Sequence, residues 1–338
     1  MTASELTLFD AFLNQHDSQA WKRVLDSLLP SIHEVDRAAT QIWFAFFPLD
    51  LAAALKEAED QALLTEALLL LGQFELKGQI DTSHAFLYGH RYWPEVKRAV
   101  SAHAASGKAP SSLDLEANVK EVAQRAASSL KIDVSLVLGI TAVAFMTLQQ
   151  VGAASFSASP GKVSLPARFA SKSPEQVLKG RSKGDGQGLF GFLKGEQKTY
   201  PITFDETQPG SSFMLIAGQE LTTAAAEDKE HFTQRDSRLL GSEGPIPVQC
   251  RAAACGTCWV GVLAGAEKLS DVDRIEAMRI KEFGYIDTDD PKPLIRLACR
   301  AQGFGAVSVV IPPWNGIYGK YLKYRKEAKD SEQANQRA

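Results

Sequence analysis

The chain has 338 residues, 45% of them hydrophobic, and a formal net charge of −3. That length suggests two domains rather than one, with enough apolar content for a core in each. The mild negative charge argues against a general nucleic-acid binder. Charge is unevenly spread: residues 1–150 hold 18 acids against 12 bases, 151–200 hold 3 against 8, and 201–338 hold 19 against 17.

The first residues, Met1 to Leu6, have neither the basic segment nor the apolar run of a secretory signal. From there to residue 154 the periodicity predicts an all-helical domain of six to eight helices. Leu6, Phe9, Phe12 and Leu13 fall at helical spacing, as do Trp21, Val24, Leu25 and Leu28 before Pro30. An apolar segment with Ile42, Trp43, Phe44, Phe46 and Phe47 follows. Pro48 then opens Leu49 to Leu55, and Leu63 to Leu71 stops at Gly72. Ala85 to Val100 reads as a helix with a break or kink at Pro94, and Leu113 to Leu130 as another. No strand alternation or hairpin turn interrupts them.

No charge occurs between Asp133 and Lys162. Its apolar part, Val134 to Met146, is shorter than the ~20 residues that span a bilayer. It runs into Thr147, Gln149 and Gln150, so a buried core helix is expected and a membrane is not. Five of the six histidines lie here: His16, His33, His84, His90 and His103. His84 and His90 are six apart, off any common helical face, and no carboxylate completes a ligand set. They read as surface or core-edge residues. The cluster Tyr88, His90, Arg91, Tyr92 and Trp93 reads as a packing face, with a docking surface as the other reading.

Residues 155–197 read as a basic linker containing Ser and Gly. Within it, Gly186 to Gly191 fits G-x-G-x-x-G by letter, but no strand precedes it and no full helix follows, so it is not read as a dinucleotide loop. Leu189, Phe190, Phe192 and Leu193 read as an anchor for the linker.

From residue 198 the pattern changes to strands. Tyr200, Ile202 and Phe204 alternate, with Pro201 suited to an edge. Gln208-Pro209-Gly210 is a turn, Ser212 to Ala217 a second strand, and Leu221 to Lys229 a short helix. Trp259 to Val262 is a strand. Ser270-Asp271 reads as the cap of a helix from Val272 to Phe283, and Ala306 to Ile311 is a β-branched final strand. These elements suit a mixed sheet with helices on one face. A basic, polar tail, 316–338, ends the chain.

All four cysteines of the chain fall in one pattern: Cys250, Cys255 and Cys258 within nine residues, and Cys299 after forty more. C-x4-C-x2-C with a distant fourth cysteine is the plant-type [2Fe–2S] spacing. Each of two irons needs two thiolates, and a loop that wraps the cluster must bring its backbone N–H groups close to sulfur. Ala252, Ala253, Ala254, Gly256 and Thr257 are small enough to allow that approach. No cysteine remains for a disulfide, which points to a reducing cytoplasm.

On these residues the stretch 198–315 resembles the [2Fe–2S] ferredoxin-type family, whose fold is a β-grasp. The resemblance implies a [2Fe–2S] cofactor with Cys250, Cys255, Cys258 and Cys299 as ligands. The first two would bind one iron and the last two the other. The cluster loop, with Arg251 and the alanines, would be the contact surface. The family often has Gly where Ala253 stands. The run Arg296-Leu297-Ala298-Cys299 resembles the adrenodoxin-like branch, although that branch has a longer first loop. The N-terminal half resembles no family.

The expected whole is α+β: an all-α domain (1–154), the linker (155–197), a β-grasp ferredoxin-like domain (198–315) and the tail. Its expected role is one-electron transfer as a subunit or partner of a larger redox system. The partner would be a reductase or oxidoreductase, with no nucleic acid. The alternative is a helical binding or assembly module with a structural cluster or a four-cysteine zinc site, though zinc sites usually present two short knuckles. No flavin or nicotinamide motif and no nucleophile–base pair marks a self-contained catalyst, so no catalytic residue is assigned. Asp271, Asp273, Asp287, Asp289 and Asp290 suit a docking face for a basic reductase, or simply a solvated acidic face.

Overall fold

The computed structural model describes residues 7–58, 62, 64, 66, 75–106, 114–182, 198–230, 232, 238–239, 244–282 and 290–313. The helix expected at Leu63 to Leu71, the glycine run 186–191 with its anchor, and the tail 316–338 lie outside them, wholly or for the most part. The chain divides into two compact units. One comprises Met1–Ala54 and Glu75–Leu178, the other Leu55–Phe74 and Lys179–Ala338.

The first unit is helical, as its 3.6-residue periodicity predicts. Its centre is the helix Ser135–Val151, buried from Val137 to Gln150. Around it pack the helices Glu34–Phe46, Trp93–Ala105 and Leu115–Leu130. Each large apolar side chain fully buried here contributes roughly 1.5–3 kcal/mol. Gly139 permits one of these contacts: a Cβ there would stand 2.4 Å from Thr40 Oγ1, so a larger residue would push the helices apart. The glutamines that end the apolar run act as staples. Trp21 Nε1 donates to Gln149 Oε1 (2.6 Å), Gln149 Nε2 to His16 O (2.9 Å), and Gln150 Nε2 to Phe47 O (2.8 Å). By length and composition one stretch among the described residues, Glu34–Glu57, is long and apolar enough to cross a membrane; half of its apolar window is buried.

Three expectations for this half are corrected. Pro94 does not kink a helix but opens one. Residues Tyr88–Tyr92 form a 3₁₀ turn and the α-helix starts at Trp93, where a proline's missing N–H costs nothing. His84 and His90 are not surface residues: both are buried, with Nδ1 atoms 2.9 Å apart. A non-helical turn, not a helix, brings them together, which is why a six-residue spacing is no obstacle. Burial holds both imidazoles neutral, lowering His84 well below its usual range and His90 to about 4. Finally, the front of the expected linker is structured, with helices Ala153–Ala158, Ala167–Ala170 and Pro174–Ser182. Phe169 and Val177 pack with Val35 and Tyr88. Arg91, 3.6 Å from the Tyr88 ring centroid, donates to the carbonyls of Ala170 and Lys172, both at 2.9 Å. A few large apolar anchors thus outweigh a composition dominated by Ser, Ala, Gly and Pro.

The second unit is built on a five-stranded mixed sheet, β1 Thr199–Thr203, β2 Ser212–Ile216, β3 Trp259–Ala264, β4 Ile295–Leu297 and β5 Val307–Val310, in the order β2-β1-β5-β3-β4. β1 and β5 are parallel and the other pairs antiparallel. In β2 the alternation is clean, with Phe213 and Leu215 buried and Met214 exposed. Pro201 lies in β1, which has neighbours on both sides rather than at an edge. β5 pairs only with Ile202 and Thr203, so at Pro201 the strand has a single neighbour and no ladder bond is forfeited on the other side. The short helix is Leu221–Ala225. The later helix is Arg274–Glu282, capped not by Ser270 or Asp271 but by Asp273, whose Oδ1 accepts from Ile275 N and Glu276 N, both at 2.8 Å. A helical region followed by a mixed five-strand sheet is the expected α+β class.

Candidate metal centre

β3 starts immediately after Cys258, and β4 pairs with it in the register Trp259↔Leu297. Ala298 N donates to Cys258 O (3.0 Å), so the strand pair carries Cys299 to the end of the cysteine loop. A buried ion pair fixes β4 from behind. Arg296 and Glu276 are 0% and 1% exposed at their side chains, with Nε–Oε1 at 2.8 Å and Nη2–Oε2 at 2.9 Å. Glu276 Oε1 also accepts from Leu297 N, and Arg296 Nη1 donates to Ser270 O, both at 2.8 Å. Such a pair repays its desolvation only through bonds of this number and geometry. The helix Arg274–Glu282, through Glu276, thereby sets the position of the fourth cysteine.

The cysteine loop winds through left-handed backbone at Arg251 (φ 52°), Ala253 (φ 58°) and Gly256 (φ 70°). Non-glycine residues there are strained, and such strain persists where the surroundings over-determine it. Here it turns successive N–H groups onto sulfur. Ala252 N, Ala254 N and Cys255 N lie 3.4, 3.3 and 3.3 Å from Cys250 Sγ.

All four predicted residues are brought together, as two pairs. The thiol of Cys250 is a close neighbour of that of Cys255, and the thiol of Cys258 of that of Cys299. Cys258 and Cys299 are buried, while Cys250 and Cys255 are partly exposed. Among the described residues, no three or more His, Cys, Asp or Glu side chains are arranged around one ion. Two pairs of thiols suit two metal atoms with two protein ligands each. Burial pushes the Cys250 thiol up, but the N–H groups of Ala252, Cys255 and Ala254 and the Cys255 thiol outweigh it and bring it down to about 7. Cys258 is raised well above the usual thiol value by the adjacent Cys299 thiol and by burial. Cys299 is lowered by the adjacent Cys258 thiol and by the nearby Ala253 N–H. Thiolate character is what a metal ligand requires.

Residues 216–302 match the 2Fe-2S iron-sulfur cluster binding domain family. The cofactor of this ferredoxin-type domain is a [2Fe–2S] cluster, and the match lies within the C-terminal part of the chain. No curated protein and no solved structure matches the chain. The residues present fit the group: two thiol pairs, N–H donors directed at sulfur, and small side chains between them.

Sequence reasoning missed Glu276 and Arg296 as supports of the site. The only available signal was a charged residue within an otherwise apolar run, Leu294 to Ala298. The acids offered as a docking face are mostly engaged locally. Asp273 caps its helix and pairs with Arg300, Asp271 lies 3.1 Å from Lys292 Nζ, and Asp290 Oδ1 accepts from Lys292 N. Asp287 and Asp289 lie outside the described residues.

Proposed function

We propose that this protein transfers single electrons to and from a protein redox partner in a reducing compartment such as the cytoplasm, as a subunit or partner of a larger redox system. The bound [2Fe–2S] group would supply a one-electron couple. The observation carrying this reading is the asymmetry of the ligand pairs. Cys250 and Cys255 are partly exposed beside the exposed Arg251 and Ala252, whereas Cys258 and Cys299 are buried. One pair therefore faces a partner while the other is anchored in the sheet. The N–H groups of residues 252–255 favour added negative charge on the ligand sulfurs. The helical unit is the part available to choose the partner.

The test is reversible reduction of the purified full chain, followed by visible absorption and EPR. Repeated reduction and reoxidation with unchanged circular dichroism supports electron transfer. Loss of fold on reduction would leave the cluster as a structural element and sink this reading.

A further inference from the structure

We propose that the Thr222 hydroxyl donates a hydrogen bond to the bound cluster and so raises the reduction potential. The inference rests on the [2Fe–2S] assignment above and adds a residue outside the cysteine loop. Thr222 is 2% exposed, and its Oγ1 has no hydrogen-bond partner among the described residues. Its position next to the site is fixed by backbone bonds. Thr222 N donates to Ala298 O (3.2 Å) and Leu221 N to Ala301 O (3.0 Å), so the helix Leu221–Ala225 starts on the turn that carries Cys299.

Two buried threonines of the helical unit bond a carbonyl of their own helix, and Thr147, like Thr222, has no partner among the described residues; what sets Thr222 apart is its place beside Cys299. Thr40 Oγ1 donates to Asp36 O (2.8 Å) and Thr141 Oγ1 to Val137 O (2.7 Å), each using the carbonyl four residues back. Thr222 stands in the first turn of its helix, where the residue four back, Gly218, precedes the helix and supplies no helical carbonyl. A buried hydroxyl is stabilised by a partner, and the sulfide of a cluster bound beside Cys299 would be an acceptor of the right polarity. A donor there favours the more negative, reduced state, so its removal lowers the potential.

The test uses the reconstituted full chain with Thr222→Val, which keeps the shape and removes the hydroxyl, and Thr222→Ser, which keeps it. In an EPR-monitored redox titration, Thr222→Val is expected to reduce the equilibrium constant for reduction about tenfold, equivalent to about 59 mV for one electron. Thr222→Ser should stay near the unsubstituted value. An unchanged potential in Thr222→Val, or an equal shift in both variants, overturns the proposal. Should Thr222→Val not fold, ¹³C-threonine labelling reads the same contact. Thr222→Ser must then remove one ¹³C coupling to the reduced cluster, and an unaltered pulsed-EPR spectrum overturns the proposal. An unsubstituted chain with no [2Fe–2S] signal would instead remove the cluster assignment itself.

Discussion

The two units put backbone N–H groups to different uses. In the helical unit, polar side chains hold the backbone. Asp36 accepts from Tyr88 N (2.6 Å) and Gly89 N (2.7 Å), and Asp81 accepts from Trp93 Nε1, Ser159 Oγ and Gly161 N. In the ferredoxin-type unit N–H groups donate in the same direction but to sulfur: three of them converge on Cys250 Sγ. Carboxylates paired with loop amides tie segments of one fold together. Amides turned through strained φ values toward sulfur prepare a place for a group that is not amino acid.

The sharpest break of this comparison comes at Cys299. Cys299→Ser takes the buried thiol that β4 delivers, and if it is a ligand the cluster should be lost completely, read as the absence of visible absorption and of bound iron. The helical unit's far-UV circular dichroism should remain. A Cys299→Ser protein that keeps its full iron content would show that this thiol is not a ligand.

Next in size is the ion pair behind that cysteine. Glu276→Gln leaves the Arg296 charge buried without its counter-charge, and breaking such a pair costs about 3 kcal/mol or more. Urea unfolding should show that loss in the transition reported by the cluster, with the helical transition in place. Equal shifts in both transitions would mean that the pair does not act locally on β4.

This contrast also separates what was legible in the sequence from what was not. The [2Fe–2S] domain was legible because its four-cysteine spacing is set by the cluster's needs before any fold is considered. Strands β1, β2, β3 and β5 were legible through alternation or β-branching. β4 was not: it has three residues and Arg296 at its centre, and it is a strand only because Glu276 neutralises that arginine from a helix twenty residues earlier. In the helical half, residues 79–92 carry the miss. Periodicity sees helices, whereas the His84–His90 contact is made by turns with no period. The structured run from residue 153 to 182 escaped for a related reason: its anchors, Phe156, Phe169 and Val177, are too far apart to mark a pattern.

The histidine pair gives the helical unit its own signature. Because His90 is lowered to about 4 and His84 is also lowered, both by burial, the unfolded chain binds more protons between the ordinary histidine value near 6.5 and pH 4. The stability is therefore full above about pH 6.5 and is lost as pH falls through that window. His90 alone accounts for about 3 kcal/mol at 1.36 kcal/mol per pH unit. Trp93, whose ring centroid is 4.0 Å from that of His84, is positioned to report it. Urea midpoints followed by tryptophan fluorescence should fall from pH 7 to pH 4.5, and the double variant His84→Phe/His90→Leu should flatten the slope. A slope unchanged in the double variant would assign the acid sensitivity to other groups.

The smallest effect tests the strain in the cluster loop. Ala253 holds φ 58° with 1% of its surface exposed, a conformation that costs a non-glycine residue about 1–2 kcal/mol and glycine almost nothing. Ala253→Gly removes that cost but gives the unfolded chain more freedom, which offsets about 0.4–1 kcal/mol. The net expectation is a stabilisation of about 0–1.6 kcal/mol, seen as a higher urea midpoint for cluster release and no change in the helical transition. Glycine keeps the loop's N–H groups in place, so the cluster's EPR signal should keep its shape. A clear destabilisation would mean that the Ala253 methyl group does more through its buried contacts than it costs in backbone strain.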